Sequence, residues 1–254
     1  MLNRRNSSKL VVYTIFFLLI KLLFKGSIVK IPNNIQILEN SADCVQIKLE
    51  RLFDDDYWEL IYQQLNCSII SLGIGKDVKA EKKMKYNMPE CLFYGADPIE
   101  EDNKELFEPI GDFYNMAVGD KNGSFRSYVL EDIYRYQEVT TVDLVTFINQ
   151  KVQQKIIDQM MIDIEHAEYK ILNFFGKNEE LERNDIYVCQ INIEIHKPES
   201  FEDRIIFSRF LEKNFKSKQW IFINSEIHPI LKHIRLFMIN GRNPECIRRY
   251  LLKS

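Results

Sequence analysis

Two short acidic segments carry the residue types that proton transfer or cation binding requires. Asp163 and Glu165 follow the apolar run 160–162, and Glu194 and His196 end another apolar run. Residues two apart in a strand share a face, so each pair presents two polar groups together. Such groups at neighbouring strand ends can form a general-base pair or hold a divalent metal, and a helix cap is the structural alternative for the first pair. We predict base chemistry and no metal site.

A glycine turn and a later acid are typical of a nucleoside-binding site. The apolar run 68–72 breaks at Gly73 and Gly75, and glycine allows a tight turn and close backbone approach to a ligand. Asp97 ends the next apolar run, where open α/β sites place an acid on ribose hydroxyls. A plain strand-to-helix turn is the alternative. Because Val78 replaces the third glycine of G-x-G-x-x-G, a mononucleoside ligand is favoured over a dinucleotide.

The elements that would position these groups alternate between apolar runs and helical stretches. This alternation predicts an α/β fold with a mostly parallel sheet, flanked by helices, and a ligand at the carboxyl ends of the strands. Strands are predicted at 68–72, 92–94, 113–118, 123–130, 160–162, 187–196, 220–224 and 234–239. Helices are predicted at 142–154, 167–175 and 201–215, and a further helical stretch ends at residue 107.

The composition is that of a globular protein. The 254 residues are 46% hydrophobic and 28% charged, which excludes a collagen-like or wholly disordered chain. The formal net charge of −3 gives no basic excess, so nucleic acid is not the expected partner. Five cysteines form no CxxC pair, which excludes a zinc ribbon or thioredoxin motif, and they stand at Cys44, Cys67, Cys91, Cys189 and Cys246.

The N-terminus has the pattern of a secretory targeting segment. Arg4, Arg5 and Lys9 precede the apolar stretch 10–24. An uncleaved signal anchor over 1–25 is favoured over a cleaved signal or a buried helix, because the residues near Gly26 fit a cleavage site poorly. The positive flank would stay cytoplasmic, leaving a stem or linker at 26–50 and a folded domain at 51–254 in the lumen of the secretory pathway, the endoplasmic reticulum or Golgi.

A luminal domain would meet an oxidising environment and the glycosylation machinery. One or two disulfides are then expected, with their pairing left open. Asn66 and Asn122 fit the glycan acceptor pattern N-x-[ST], and Asn122 lies in a predicted hairpin turn. His228 and His233 lie in a proline-containing connection and are expected at the surface.

The run Asp54–Asp56 has two interpretations. The structural interpretation is a helix start, where acids interact with the positive end of the helix and cap its free N–H groups. The functional one is a DxD metal and nucleotide-sugar site, which together with the anchor and stem would indicate a type II-anchored glycosyltransferase.

Five segments in order carry a resemblance to a known family. Together they resemble the FkbM-type methyltransferases, in particular a nematode-rich branch with short membrane-anchored members, over about 66–240. The most specific piece is 163–168, which is similar to the family signature D-x-E-G-A-E with His166 in place of its glycine. The segments are SIISLGIGKD at 68–77, FYGADP at 93–98, MAVG at 116–119, IDIEHAE at 162–168 and IEIH at 193–196.

The resemblance implies a class I methyltransferase fold, a Rossmann-like sheet of seven strands with the last antiparallel, that binds S-adenosylmethionine. It would place the two glycines of the first loop on the methionine part of the cofactor, the acid on the ribose, and two later residues near the adenine. The implied cofactor-binding residues are Ser71, Gly73, Gly75, Asp97, Met116 and Ala117.

The function expected from these observations is O-methylation of a glycan or small hydroxylated acceptor by an anchored, luminal enzyme. Asp163 and Glu165 would orient the acceptor or take its proton, with His196 as the second candidate base. The rivals are the glycosyltransferase and a catalytically silent binding protein with the same fold, since LGIGKD and His166 depart from the family pattern.

Overall fold

A computed structural model describes residues 67–130 and 133–251 of the chain. The predicted anchor at 1–25, the stem at 26–50, the run Asp54–Asp56 and the acceptor Asn66 lie outside these ranges. Within them, no helix is both long and apolar enough to cross a membrane.

The described chain alternates between strands and short helices. The strands are β1 Ser68–Leu72, β2 Leu92–Asp97, β3 Asp112–Asn115, β4 Ala117–Gly119, β5 Gly123–Leu130, β6 Tyr134–Asp143, β7 Ile156–Ile162, β8 Tyr187–Ile195, β9 Trp220–Ile227 and β10 Ile234–Asn240. The α-helices are α1 Lys79–Asn87, α2 Asn103–Phe107, α3 Leu144–Phe147, α4 Glu168–Ile171, α5 Glu180–Arg183, α6 Phe201–Ser217 and α7 Pro244–Tyr250.

Seven strands form the main sheet in the order β3-β2-β1-β7-β8-β10-β9. The neighbours from β3 to β8 pair in parallel, whereas β10 is antiparallel to both β8 and β9. The predicted mostly parallel sheet with an antiparallel last strand is therefore confirmed. The chain order reverses between β1 and β7, which is where open α/β sheets bind ligands.

The sequence of the central strands explains their position. All five residues of β1 are buried, as expected for a parallel strand that is covered on both faces. Ile69 packs in one core cluster with Met84 of α1, Phe93 of β2 and Phe237 of β10. A buried apolar core therefore supports the strands whose ends carry the polar residues.

A second sheet of three strands, in the order β4-β6-β5, departs from the sequence prediction. The predicted strand 113–118 is divided, since β3 joins the main sheet and β4 joins the small one. The sequence analysis assigned no strand to β6. Because β6 lies between β4 and β5, the turn at Asn122 is not a hairpin turn. Its side-chain Oδ1 instead accepts a hydrogen bond from the backbone N–H of Asp143, at 2.8 Å.

The predicted helices 142–154 and 167–175 are shorter and divided in the structure, whereas the helix predicted at 201–215 extends to Ser217. The predicted helix 142–154 consists of α3 and a π-helical turn at Ile148–Val152, and Asp143 caps its start by accepting from the Thr146 N–H. Helix α6 begins with a reciprocal capping box between Ser200 and Asp203.

Two disulfides tie the described chain together. Cys67 at the start of β1 is bonded to Cys91 at the start of β2, and Cys189 of β8 is bonded to Cys246 of α7. The expectation of one or two disulfides is met. Both bridges lie away from the carboxyl ends of the strands, so they leave the site end of the sheet open.

Candidate active site

A cleft of about 750 Å³ opens at the carboxyl ends of β1, β2 and β7. Its floor is formed by the turns that follow these strands, and the small sheet forms a wall. This size is within the range of small-molecule and cofactor sites. The sequence-predicted residues that line it are Gly73, Gly75, Asp97, Ala117, Asp163 and Glu165.

The turn after β1 requires glycine for two separate reasons. Gly73 has φ +80°, and a Cβ at this position would lie 1.8 Å from the backbone oxygen of Asp163. Gly75 has φ +58°, but a Cβ there would meet no atom within 4 Å. Gly73 therefore brings the glycine turn against the acidic turn, whereas Gly75 leaves its side open to the cleft.

Asp97 holds the glycine turn in place. Its Oδ2 accepts from the backbone N–H groups of Ile74 and Gly75 at 2.8 and 3.2 Å, and its Oδ1 accepts from that of Ile99 at 2.8 Å. Burial raises the pKa of the Asp97 carboxyl, and these hydrogen bonds oppose the rise. Each carboxylate oxygen can accept further bonds, so ribose contact is compatible with this arrangement.

Two of the predicted cofactor residues do not line the cleft. Ser71 is buried, and its hydroxyl donates to Glu81 Oε1 of α1 at 3.0 Å. Met116 lies between β3 and β4, beside Ala117, which does line the cleft. Glu81 also lines it and was not anticipated. Burial raises the pKa of Glu81, while the hydrogen bond from Ser71 opposes that rise.

The acidic turn after β7 has an unusual backbone. Glu165 has φ +48° and His166 has φ +72°, a region that non-glycine residues seldom occupy. The conformation explains why the family signature has glycine at the position of His166. Backbone strain of this kind concentrates at functional sites.

Three carboxylates converge on His196, which directly follows β8. His196 Nε2 lies 3.2 Å from Glu165 Oε2 and 3.7 Å from Asp163 Oδ1, while Nδ1 lies 3.0 Å from Glu168 Oε1. The same Glu168 oxygen accepts from the His196 backbone N–H, and the Tyr169 hydroxyl donates to the His196 carbonyl. Glu168 was not among the candidate residues predicted from the sequence, but it is fully buried and fixes the imidazole.

Electrostatics separates the candidate bases. Burial first, and then the charge of Glu194, raise the pKa of Asp163 to about 6. Burial disfavours charged His196, but its hydrogen bonds with Glu165 and Glu168 prevail and raise its pKa to about 10. At neutral pH the imidazole is therefore protonated, and Asp163 is the better-matched base.

A second group adjoins the first. Glu194 Oε1 lies 2.8 Å from His233 Nδ1, and Glu194 Oε2 accepts from Arg235 Nε at 2.6 Å. The ring centroids of His233 and His196 are 4.3 Å apart, and those of His233 and His228 are 6.4 Å apart. His228 and His233, which were expected at the surface, are both half-buried, and His233 lies within this group.

Aromatic side chains from the small sheet form the wall of the cleft. Tyr128 stacks on Tyr134 with ring centroids 5.1 Å apart and contacts Tyr136 at 5.0 Å. Arg126 lies over the Tyr136 ring, and the Tyr134 hydroxyl donates to Glu165 Oε1. Sequence reasoning missed this wall. The alternating tyrosines and the β-branched stretch 139–142 were the available signal for β6.

Comparison with known proteins gives a family and several distant likenesses. The methyltransferase FkbM domain family matches residues 32–249. An uncharacterized protein of Caenorhabditis elegans is 26% identical over 106 residues, covering 42% of this chain and 35% of that relative. The chain therefore matches about a third of that relative's length.

The solved structures are more distant. Aeropyrum pernix fibrillarin with natively bound S-adenosyl-L-methionine is 10% identical at a TM-score of 0.39, covering 76% of this chain and 74% of that one. The human methyltransferase 10 domain containing protein is 10% identical at a TM-score of 0.43, covering 78% of this chain and 84% of that one.

Proposed function

The chain belongs to the FkbM methyltransferase family, and from that membership we propose that it transfers a methyl group from S-adenosylmethionine to an acceptor hydroxyl. The observation that carries the proposal is the contact between the glycine turn and the acidic turn, where Gly73 lies against Asp163. A cofactor on the first turn would place its methyl group beside the carboxylates of the second. The family membership favours methyl transfer over the glycosyltransferase alternative.

The residues of the cleft suit such a cofactor. Gly75 leaves room at the turn, Asp97 offers acceptor capacity to ribose hydroxyls, and Ala117 exposes an apolar edge for the adenine. Glu81 offers a carboxylate to the positively charged end of the methionine part.

The chain's contribution to the reaction is positioning and proton removal. Bound S-adenosylmethionine supplies an electrophilic methyl group on sulfur. With the cofactor bound, Asp163 would accept the proton of the acceptor hydroxyl as that oxygen receives the methyl group from the sulfonium. Glu165, held by Tyr134 and by protonated His196, orients the acceptor.

The aromatic wall favours an acceptor with a ring. Tyr128, Tyr134 and Tyr136 are each between 37% and 58% exposed and line the same cleft as the glycine turn. Exposed aromatic faces beside polar groups suit a flat or sugar-like ring that carries hydroxyls. The acceptor class is therefore a glycan or a small hydroxylated ring compound.

The compartment belongs to the same proposal. Disulfides form and persist in oxidising compartments, and the described chain contains two. This supports a luminal domain, anchored by residues 1–25 and joined through the stem at 26–50.

Thermal stabilisation by the cofactor product tests the proposal directly. S-adenosylhomocysteine at ~100 times its dissociation constant should stabilise the full chain by about 2.7 kcal/mol. A UDP-sugar should give no shift. Stabilisation by the UDP-sugar alone would transfer the assignment to a glycosyltransferase, and no response to either compound would favour the silent binding protein.

A pair of variants tests the cofactor site. Asp97→Asn should lose the S-adenosylhomocysteine shift. An amide has only one accepting oxygen, so it cannot accept from the glycine turn and from the ribose with both of its terminal atoms. Asp102→Asn is the control, because Asp102 is exposed and pairs with Lys76 outside the cleft lining. Equal shifts in both variants would reject the assignment of Asp97.

A further inference from the structure

The carboxylates around His196 have a charge that the protein does not balance locally. Asp163, Glu165 and Glu168 converge on one imidazole, which carries at most one positive charge. The neighbouring Glu194 differs, because Arg235 and His233 both bind it. A cation would find excess negative charge at the first group and a basic guanidinium at the second.

We propose that Asp163, Glu165 and His196 form a binding site for a divalent transition-metal cation at the floor of the cleft. Their ligand atoms all lie within 4.8 Å of one another. Metal–ligand bonds of about 2.1 Å place neighbouring ligand atoms about 3.0–3.4 Å apart in octahedral or tetrahedral geometry. The observed 3.2 and 3.7 Å from His196 Nε2 need only small adjustments to reach that spacing.

The residue behind the imidazole strengthens the assignment. Glu168 is fully buried and faces His196 Nδ1, so Nδ1–H donates to it and Nε2 is directed to the other two carboxylates. A cation bound at Nε2 would displace the proton that this nitrogen carries in the metal-free chain. This carboxylate–histidine arrangement is the usual second shell of a metal-bound imidazole.

Two buried polar atoms beside the group are unsatisfied within the described part of the chain. Glu168 Oε2 and His166 Nδ1 are buried beside the group, and neither has a hydrogen-bond partner among the residues that the structure describes. Buried polar atoms are normally satisfied. A hydrated cation at the site would bring both charge and water to this region.

The donor set indicates the class of cation. One imidazole with two carboxylates suits zinc or manganese better than magnesium, which prefers oxygen ligands. Three protein ligands leave coordination positions open, and Asp163 and Glu165 line the cleft. If the proposed function holds, the open positions face the acceptor hydroxyl. From the sequence alone, base chemistry and no metal site was predicted at these residues.

Calorimetric titration of the purified full chain with zinc chloride, manganese chloride and magnesium chloride tests the site without any cofactor. We expect one cation per chain, with zinc bound more tightly than manganese and manganese more tightly than magnesium. Saturation by none of the three, or tightest binding of magnesium, would overturn the inference.

Isosteric variants locate the binding. Asp163→Asn and Glu165→Gln should each weaken zinc binding at least ~10-fold, by analogy with losses at supporting residues. Glu199→Gln is the matched control, because Glu199 lines the same cleft but pairs with His166. Unchanged affinity in the double variant Asp163→Asn, Glu165→Gln would refute the site, provided that its circular dichroism melt is that of a folded chain.

The result is separable from the methyltransferase proposal. Zinc binding without stabilisation by S-adenosylhomocysteine would support the metal site and reject the enzyme. Stabilisation by S-adenosylhomocysteine without zinc binding would support the methyltransferase and reject the metal site.

Discussion

At the scale of single residues, the turn after β7 places a histidine where its backbone suits glycine. His166 has φ +72°, its Nδ1 is buried without a partner among the described residues, and Nε2 lies 3.5 Å from Glu199 Oε1. Left-handed backbone costs a non-glycine residue roughly 1–2 kcal/mol. The histidine is therefore expected to destabilise this turn, which lies beside the candidate bases.

Replacement by glycine should recover part of that cost. His166→Gly is expected to raise the free energy of unfolding by about 1 kcal/mol, measured by urea denaturation. His166→Ala is the control, because it removes the same ring but keeps the strained Cβ, and it should not be stabilising. Equal effects of the two variants would show that the ring, rather than the backbone, sets the stability of this turn.

Glu81 is a buried acid whose charge lowers the stability of the folded chain by an amount that depends on pH. Burial raises its pKa in the folded chain above 4.5, so folding prefers the protonated form. The loss of folding stability is fully present above the pKa of Glu81 in the folded chain, and it disappears as the pH falls to the pKa of Glu81 in the unfolded chain. Glu81→Gln keeps the oxygen that accepts from Ser71 and removes the charge.

The variant Glu81→Gln should therefore have a higher urea midpoint than the parent at pH 7.5, and the difference should narrow as the pH approaches 4.5. Glu105→Gln serves as the control, since Glu105 is exposed on α2. A difference that stayed constant with pH would mean that the Glu81 charge carries no cost in the folded state.

At the scale of elements, α7 is held by a buried ion pair. Arg249 Nη1 lies 2.7 Å from Asp158 Oδ1, and Asp158 is 1% exposed. The Tyr250 hydroxyl and the Ser68 backbone N–H also donate to Asp158. A C-terminal helix is thereby fastened to the central strands β1 and β7.

Arg249→Met should cost about 3 kcal/mol of unfolding free energy, because it leaves a buried carboxylate without its cation. Arg248→Met should cost less than about 1 kcal/mol, since Arg248 pairs with the same Glu245 but is well exposed. Thermal or urea melts of the two variants give the comparison. Similar losses of unfolding free energy would indicate that pairing with Glu245, rather than with Asp158, stabilises the helix.

The sequence predicted the elements that have local signals and missed those that depend on distant pairing. Runs such as 68–72 are apolar because both sheet faces are covered, and that pattern is visible in the chain itself. Strand β6 mixes tyrosine, arginine and glutamate because one face borders the cleft, so it has no apolar run. Asp143, the N-cap of α3, was a usable boundary signal that would have shortened the predicted helix.

The same limit explains the site. Asp163, Glu165 and His196 could be proposed from strand-end positions, since parallel strands bring their carboxyl ends to one edge. The role of Glu168 and the approach of His233 depend on how a helix and a loop pack, which spacing along the chain does not encode. Asp97 was predicted at the site, but its bonds to the glycine turn were not.

At the scale of the whole molecule, the proposed topology gives a test at the small sheet. Asn122 is exposed at the turn between β4 and β5, and Ser124 completes its acceptor pattern. If the domain is luminal, Asn122 should carry a glycan. Cys67, next to the other acceptor at Asn66, is fully buried, so Asn66 is expected to be skipped.

Expression in a secretory cell line should yield a chain with an endoglycosidase-sensitive mass increment that Asn122→Gln removes. Ser124→Ala should remove it too, while it keeps the Asn122 side chain that binds the Asp143 N–H. Loss in only one variant would indicate a different modification. A wholly unglycosylated cytosolic chain would overturn the luminal placement, and mature chains that begin near Gly26 would contradict the uncleaved anchor.

The two sides of the cleft differ in how their residues are distributed along the sequence. The floor is assembled from the ends of strands that are far apart in sequence, so a change there must be matched at several distant positions. The tyrosine wall comes from a single stretch, 117–143. If the wall selects the acceptor as proposed, a chimera that grafts a relative's stretch onto this floor should change the acceptor and keep the cofactor.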